Sequence, residues 1–352
     1  MALRGLAGER VELRLIAPED EFVYRPLVVK DEFAADRIRR VSLARAADDA
    51  QATFVNSSIG AVDSERGTVT TSAGDEFAYD ALVLAIGAQP VPVVPHALTW
   101  DDRADAETFG GLLRDIEQEY SRSLAVIIPP GASWPLRGYE LALFATLDAK
   151  GILPDFETTL VTPEPAPLEL LGTQAADLMQ HELDRAGVVV VSAVRVEVVQ
   201  SHPAVVVLEP KAGRIEVDSL VALPALRGRP IKGIPSDDDG FFEVDEHCRV
   251  RGLQAVWAAG DCIAFPLKSG GFATEEADVV AEDIAAGAGA AVVPHEFQPA
   301  LGSELATLPA GRFLESWLFG RSHRLALHVP TGQVPMLAYL ERDLAAGWRG
   351  RN

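Results

Sequence analysis

The sequence predicts an α/β protein of two related three-layer units, each built on a parallel sheet, with a small segment following them. Three observations predict it. Helical and strand patterns alternate through most of the chain. Two short, continuous apolar runs, "ALVLAIGA" and "LAVII", carry the mark of strands covered on both faces. The early order of helix, strand ending "APED", meander and "ALVLAIGA" is echoed later by helix, strand ending "TPEP", strands and "SLVALPA".

Length and composition set the outer bounds. A chain of 352 residues has room for about two domains of roughly 150 residues each. With 48% hydrophobic and 24% charged residues it can bury ordinary globular cores. No apolar run reaches the roughly 18 residues of a membrane helix, and "MALRGLAGER" has no signal-peptide core. The expected location is the cytoplasm, with no integral membrane segment. The net charge of −21 disfavours nucleic acid and anionic lipid, which need clustered Lys and Arg. The two cysteines, Cys248 and Cys262, form no CxxC and read as buried thiols rather than a disulfide. The histidines lack ligand spacing, so no metal site is expected.

The elements follow in order. Ala2 to Gly8 reads as the last turns of a helix and Arg10 to Ala17 as a buried strand, so the chain opens on the second half of a βαβ unit. "DRIRRVSLARAADDAQATFV" reads as a helix and then a strand ending near Val55. "GAVDSERGTVTTSAGDEFAYD" is an antiparallel meander with turns at Glu65-Arg66-Gly67 and Ala73-Gly74-Asp75. "PVPVVPHALTW" is a proline-rich crossover. In the second unit, "AETFGGLLRDIEQEY", "GYELALFATLDAKG" and "GTQAADLMQHELDRAG" are helices, the last two closed by Gly151 and Gly187. "LAVIIP", "FETTLVTPEP", "VVVVSAVRVEVVQ" and "AVVVLEP" are strands. After "RGRPIKGIPSDDDG" comes the buried strand "VWAAGDC" and the long helix "GGFATEEADVVAEDIAAGAG". The expected division is one discontinuous domain, 1–97 with 232–292, a second at 98–231, and an α+β interface segment at 293–352.

The stretch with the most chemistry runs from Val256 to Ala286. A strand ends in Gly260-Asp261, a loop carries Lys268, and Gly270-Gly271 opens a helix. An Asp at a strand end accepts hydrogen bonds from sugar-alcohol hydroxyls. A helix N-terminus offers N–H groups and partial positive charge to an anion or to a ring that gains negative charge on reduction. With "YDALVLAIGA" upstream, the pattern reads as a flavin dinucleotide site.

On these residues the chain resembles the pyridine nucleotide-disulfide oxidoreductase superfamily of FAD-dependent, two-dinucleotide-fold flavoproteins. The similar branch holds sulfide:quinone oxidoreductase, flavocytochrome c sulfide dehydrogenase and type II NADH dehydrogenase. "YDALVLAIGA" resembles one flavin segment, "VWAAGD" a second, and "EFVYRPL" the segment reaching toward the flavin ring. The resemblance implies two Rossmann-like domains and FAD contacts from Tyr24, Arg25, Pro26, Val55, Ala85, Gly87, Ala88, Gly260, Asp261, Lys268, Gly270, Gly271, Phe272 and Ala273. Lys268 would stabilise reduced flavin, and Glu140 would stand on the donor side. It also implies that a strand and GxGxxG, about 25 to 30 residues, would precede Met1. Either the start lies upstream, or the chain is a truncated, flavin-free relative acting as a binding or scaffold subunit.

Two departures bear on the donor. "PPGASWPLRGYELA" keeps Gly138, Tyr139 and Glu140 of the resembled nucleotide segment, with Gly138 placed for close helix–strand packing. Pro129, Pro130 and Pro135 have no N–H to give a phosphate, which counts against NAD(P)H, a donor that the resemblance implies and that Glu140 would face. Thr162 and Glu164 lie where a ribose-binding acid would sit. The sulfide-oxidising branch carries a redox cysteine in this loop; here the position holds Trp134, so no persulfide chemistry is expected. Glu275 and Glu276 replace glutamines of a quinone pocket, as helix-start acids or as a changed acceptor pocket. The expected partners are a small-molecule donor and acceptor, and dimers common in the family make a homodimer one expectation.

Overall fold

The computed structural model describes residues 1–23, 40–100, 106–201, 203–210 and 213–298. The expectations for Tyr24, Arg25 and Pro26, and for the segment beyond residue 298, lie outside these.

The first half opens with α1 (Ala2–Ala7) and β1 (Leu13–Ala17). The short β2 (Glu21–Val23) pairs antiparallel with β3 (Arg40–Ser42). Helix α2 (Leu43–Asp49) begins there because the Ser42 hydroxyl accepts the Arg45 N–H. Among the described residues of this stretch, Arg40–Ser42 form a strand where a helix was expected, and the helix starts at Leu43. β4 (Ala52–Asn56) pairs parallel with β1. The meander is as expected: β5 (Ile59–Asp63), β6 (Thr68–Thr71) and β7 (Glu76–Ala78) are antiparallel, with Gly67 and Gly74 at positive φ in the turns.

β8 (Leu82–Leu84) is shorter and more open than the apolar run suggested. It pairs parallel with the late strand at 256–258, and Val83 is 42% exposed. The β1–β4 pair and this pair stand as separate two-stranded sheets among the described residues. Successive side chains leave opposite faces of a strand: Leu84, 2% exposed, points into the core, while Val83 points from a face left open. Both pairs nonetheless feed one core, where Ile16 packs with Leu84, Val256 and Ala258.

After β9 (Gln89–Val91), β10 (Leu98–Thr99) enters a five-stranded parallel sheet with β11 (Ser123–Ile127), β12 (Glu157–Val161) and β13 (Val188–Val191). α3 (Ala106–Glu117), α4 (Leu136–Ile152) and α5 (Thr173–Ala186) connect these strands. β14 (Arg195–Ser201), β15 (Ala204–Glu209) and β16 (Gly213–Val217) form an antiparallel sheet, and β17 (Ser219–Ala222) returns to the parallel one, between β10 and β11. Period two then sorts the side chains. Leu124, Val126 and Ile128 join the core with residues of α4 and α5, while Ala125 and Ile127 join the core with β15. The third layer here is the small antiparallel sheet. β18 (Ala225–Arg227) pairs with β9.

Helix ends show which glycines matter. Gly187 closes α5 at φ 75 as expected, and Lys150 Nζ donates to the Ala186 carbonyl at 2.8 Å. Gly151 does not close α4: the helix runs one residue past it and ends at Leu153, whose N–H bonds the Ala149 carbonyl. Gly138 acts through size. A Cβ there would lie 2.8 Å from Ile128 Cδ1 and nearer still to its Cγ1, so only glycine lets α4 approach β11.

The last described elements are β19 (Val256–Ala258) and α6 (Gly270–Gly287). Asp283 locks them together. Its carboxylate, 7% exposed, takes both Arg249 Nε at 2.7 Å and Arg249 Nη2 at 2.6 Å, and Trp257 Nε1 at 2.8 Å. No described helix is long and apolar enough to cross a membrane.

Candidate functional site

In a parallel pair both strands end on the same edge, and ligands of open α/β sheets bind beyond that carboxyl edge. β8 and β19 are such a pair, and each runs into a glycine turn. Gly87 has φ +64, with nothing within 4 Å of where a Cβ would stand. Gly260 has φ +79, and its nearest neighbour there is the Ala273 methyl at 3.6 Å. The turns are tied to each other: the Leu84 carbonyl accepts the Ala259 N–H at 3.0 Å and the Cys262 thiol at 3.2 Å. Gly87, Ala88, Gly260 and Asp261 are therefore brought to one edge.

The loop beyond Asp261 leads to α6. Ser269 caps the helix, its Oγ accepting the Phe272 N–H at 3.4 Å and its carbonyl the Ala273 N–H at 3.0 Å. The leading N–H groups, on Gly270 and Gly271, have no intrahelical acceptor by geometry. Aligned peptide dipoles add partial positive charge there. Phe272 is buried against Phe265 and Trp134, with ring centroids at 5.5 and 6.3 Å. Trp134 belongs to the proline loop of the second parallel unit. The Lys268 N–H donates to the Ser133 carbonyl at 3.0 Å, so that loop is docked onto the one before α6.

Lys268 itself is 8% exposed. Its ammonium donates to the Ile263 carbonyl and lies 4.4 Å over the Phe241 ring, and burial lowers its proton affinity. It braces the loop from within. Val55 sits half-buried on β4, and Ala85 is exposed just past β8. Asn56, beside Val55, donates to Asp20 Oδ1 at 3.0 Å and to the Pro18 carbonyl at 3.2 Å, closing the ends of β1 and β4.

Glu276 is where the sequence reading needs correction. A carboxylate near a helix start was expected to serve the dipole or face an acceptor. Instead it is 2% exposed and accepts the Gly260 N–H at 2.5 Å. Burial pushes its carboxyl up to about 7, against the pull of that N–H and of Lys268. The signal was in the spacing. Ala273, Glu276, Val280 and Asp283 recur at three and four residues, the interval of one helix face.

Glu140 lies half-buried in the first turns of α4. Next to it, the fully buried Tyr139 hydroxyl donates to Glu164 Oε2 at 2.6 Å and accepts from the Thr162 hydroxyl at 3.1 Å. Tyr139 thereby holds the Glu164 carboxylate at the carboxyl end of β12. The cysteines are inert. Cys262 is wholly buried, with its thiol donating to the Leu84 and Ala259 carbonyls, and burial pushes it up to about 11. Burial pushes Cys248 up to about 12. Neither supplies the thiolate that sulfur chemistry needs.

Comparison with known proteins agrees with this geometry. The sequence profile described as pyridine nucleotide-disulphide oxidoreductase matches residues 1–284. A NADH dehydrogenase-like protein of Mycobacterium tuberculosis is 29% identical over 245 residues, 64% of this chain and 58% of that protein. The chain thus spans 58% of the length of that curated relative. Among solved structures, the sulfide:quinone oxidoreductase of Aquifex aeolicus superposes with a TM-score of 0.72 at 18% identity, covering 80% of this chain and 72% of that one. The NAD-dependent persulfide reductase of A. fulgidus gives 0.61 at 21% identity, covering 84% and 57%. These last two likenesses are of fold. With paired parallel strands ending in glycine turns, and a profile match through nearly all the described residues, the chain belongs to the pyridine nucleotide-disulphide oxidoreductase family, whose members are FAD-dependent oxidoreductases.

Proposed function

We propose that this chain is an FAD-dependent oxidoreductase that moves two electrons from a small-molecule donor to a small-molecule acceptor. The observation that carries the reading is the carboxyl edge of β8 and β19. Two positive-φ glycine turns, Asp261 and the N-terminus of an 18-residue helix converge there. These residues fit the cofactor. Gly87, at φ +64, leaves open space beyond its turn, Gly260 admits close approach, and Asp261 would accept from ribityl hydroxyls. Val55, Ala85, Ala88, Phe272 and Ala273 would line the cleft. FAD, when bound, supplies the capacity to take up two electrons as a hydride and pass them on.

The chain's own residues set the conditions. The Gly270 and Gly271 N–H groups would offset negative charge gained by the ring. Phe265, Phe272 and Trp134 would keep water from one side of it. Lys268 would act mainly by holding the loop, since its ammonium is engaged with Ile263 and Phe241.

For the donor we favour NADH. Glu164 stands at the end of β12, where an acid hydrogen-bonds a ribose diol and repels a 2′-phosphate. Tyr139 takes one of its oxygens, and the Leu170 N–H approaches the other at 3.4 Å. A carboxylate has about four lone-pair sites, so acceptor capacity remains. The loop prolines, and the Ala132 N–H bonded to the Pro129 carbonyl at 3.2 Å, leave the phosphate contacts to Gly131, Ser133 and Trp134. Sulfide oxidation through a cysteine is not part of this reading, given the buried thiols.

Visible absorption of the purified chain, alongside a version extended upstream, tests the proposal. A flavin spectrum that bleaches under anaerobic NADH supports it. Colourless protein from both versions, with no FAD taken up on addition, would overturn it.

A further inference from the structure

Helix α6 turns Ala273, Glu276, Val280 and Asp283 toward β19 and the turn after it. Both acids on this face are more than nine-tenths buried, at 2% for Glu276 and 7% for Asp283. Their partners differ in kind. Asp283 meets the Arg249 guanidinium, whereas Glu276 meets a neutral donor, the Gly260 N–H at 2.5 Å. Facing Glu276 are Lys268 from the preceding loop, Asp261 and the Cys262 thiol from the turn, the Cys248 thiol, and Glu275 on its own helix. Lys268 is the cation of this set, and its ammonium is committed to the Ile263 carbonyl and the Phe241 ring.

A buried carboxylate opposite a neutral donor is poised to hold a proton near neutrality. It stands directly behind the glycine turn that the FAD reading places against the dinucleotide. We propose, resting on that reading, that Glu276 takes up one proton when an anionic dinucleotide enters the cleft, coupling FAD binding to protonation of the turn's support. The balance is simple. A carboxylate and a solvent proton become a carboxylic acid as the diphosphate arrives, and no electrons move. The acid form can still accept the Gly260 N–H through its carbonyl oxygen. Glu276 is thus a positioning residue acting through Gly260.

Linkage sets the expected effect. Above about pH 7, where free Glu276 is ionised, each further pH unit weakens FAD binding roughly tenfold; below it, affinity levels off. Flavin fluorescence titrations of the full chain from about pH 6 to about pH 9 read this directly. Wild type should show the slope and Glu276→Gln should be flat. Calorimetry at about pH 8, in two buffers of different ionisation heat, should find close to one proton taken up per FAD by wild type. That second measurement decides the matter if the variant does not fold. Equal pH slopes in the two proteins, or wild-type binding without proton uptake, overturn the proposal alone. No FAD binding to either protein at any pH overturns the flavin reading, and the proposal with it.

Discussion

Replacing Glu276 by Gln should change how stability depends on pH, whatever the protein binds. The side chain is 2% exposed, and burial moves its carboxyl from the usual 4.5 to about 7. Between these values the folded chain holds a proton that the unfolded chain has already lost. Stability must therefore fall as pH rises through this window and level off above about 7. At about 1.4 kcal/mol per pH unit, the full drop is roughly 3 kcal/mol. The amide introduced by Glu276→Gln would match the acid form in shape and keep an acceptor for the Gly260 N–H, but it cannot ionise. The variant and wild type should be close near pH 4.5, and the variant should gain roughly 3 kcal/mol on wild type by about pH 8. Asp278, which burial raises to about 6, and Glu275, raised by burial as well, add slopes common to both proteins. The difference between the two curves therefore isolates Glu276. Urea unfolding at a series of pH values, extrapolated to water, supplies it. A difference independent of pH between about 5 and 8 would show that water reaches the carboxyl, and the reasoning would fail.

Other expectations follow from single contacts. Gly138→Ala should cost about 1–3 kcal/mol by overpacking. In the double variant with Ile128→Ala the two costs should fall short of their sum by about 1 kcal/mol; strict additivity would mean that Ile128 is not the atom group in the way. Tyr139→Phe should cost about 1–2 kcal/mol, because it leaves Glu164 short of a donor and the Thr162 hydroxyl short of an acceptor. If Glu164 serves the ribose, it should also raise KM for NADH more than it lowers kcat; an unchanged KM would separate the pair from the donor site. Cys248 and Cys262 should resist an aromatic disulfide reagent in folded protein near neutral pH and react only in denaturant. Rapid labelling of the native chain would contradict their burial.

Long patterned segments were legible in the chain. The meander needed only its two glycine turns, because Gly67 and Gly74 allow the positive φ that most residues resist. Helix α5 was legible from its period and from Gly187 at its end. Gly138 was legible as a packing glycine, and the distance to Ile128 bears it out. Gly260 and Asp261 could be picked out because turn chemistry is local, and Gly87 through the resemblance of its segment.

What stayed hidden depends on neighbours. Gly151 looked like a helix stop, yet the helix passes through it, since a glycine ends a helix only where the chain adopts a left-handed turn. Val83 looked buried within an apolar run, yet it is 42% exposed, because burial of a strand residue depends on what packs against the face it points from. Lys268 read as a cation aimed at the cofactor, and only the fold shows it engaged with Ile263 and Phe241.

By itself, then, the sequence determined the alternation of helix and strand, the glycine turns at strand ends and the membership of an FAD-dependent family. The first two rest on backbone preferences and side-chain periods written within a few residues; the family was legible through the resemblance of "YDALVLAIGA" and "VWAAGD" to its flavin segments. Tertiary structure alone decided that β8 and β19, some 170 residues apart, place their turns on one edge. It also decided that Glu276 reaches back across 16 residues to the Gly260 N–H. The physical reason is that solvent exposure, and with it the charge state of a carboxyl, belongs to the packed neighbourhood rather than to the residue.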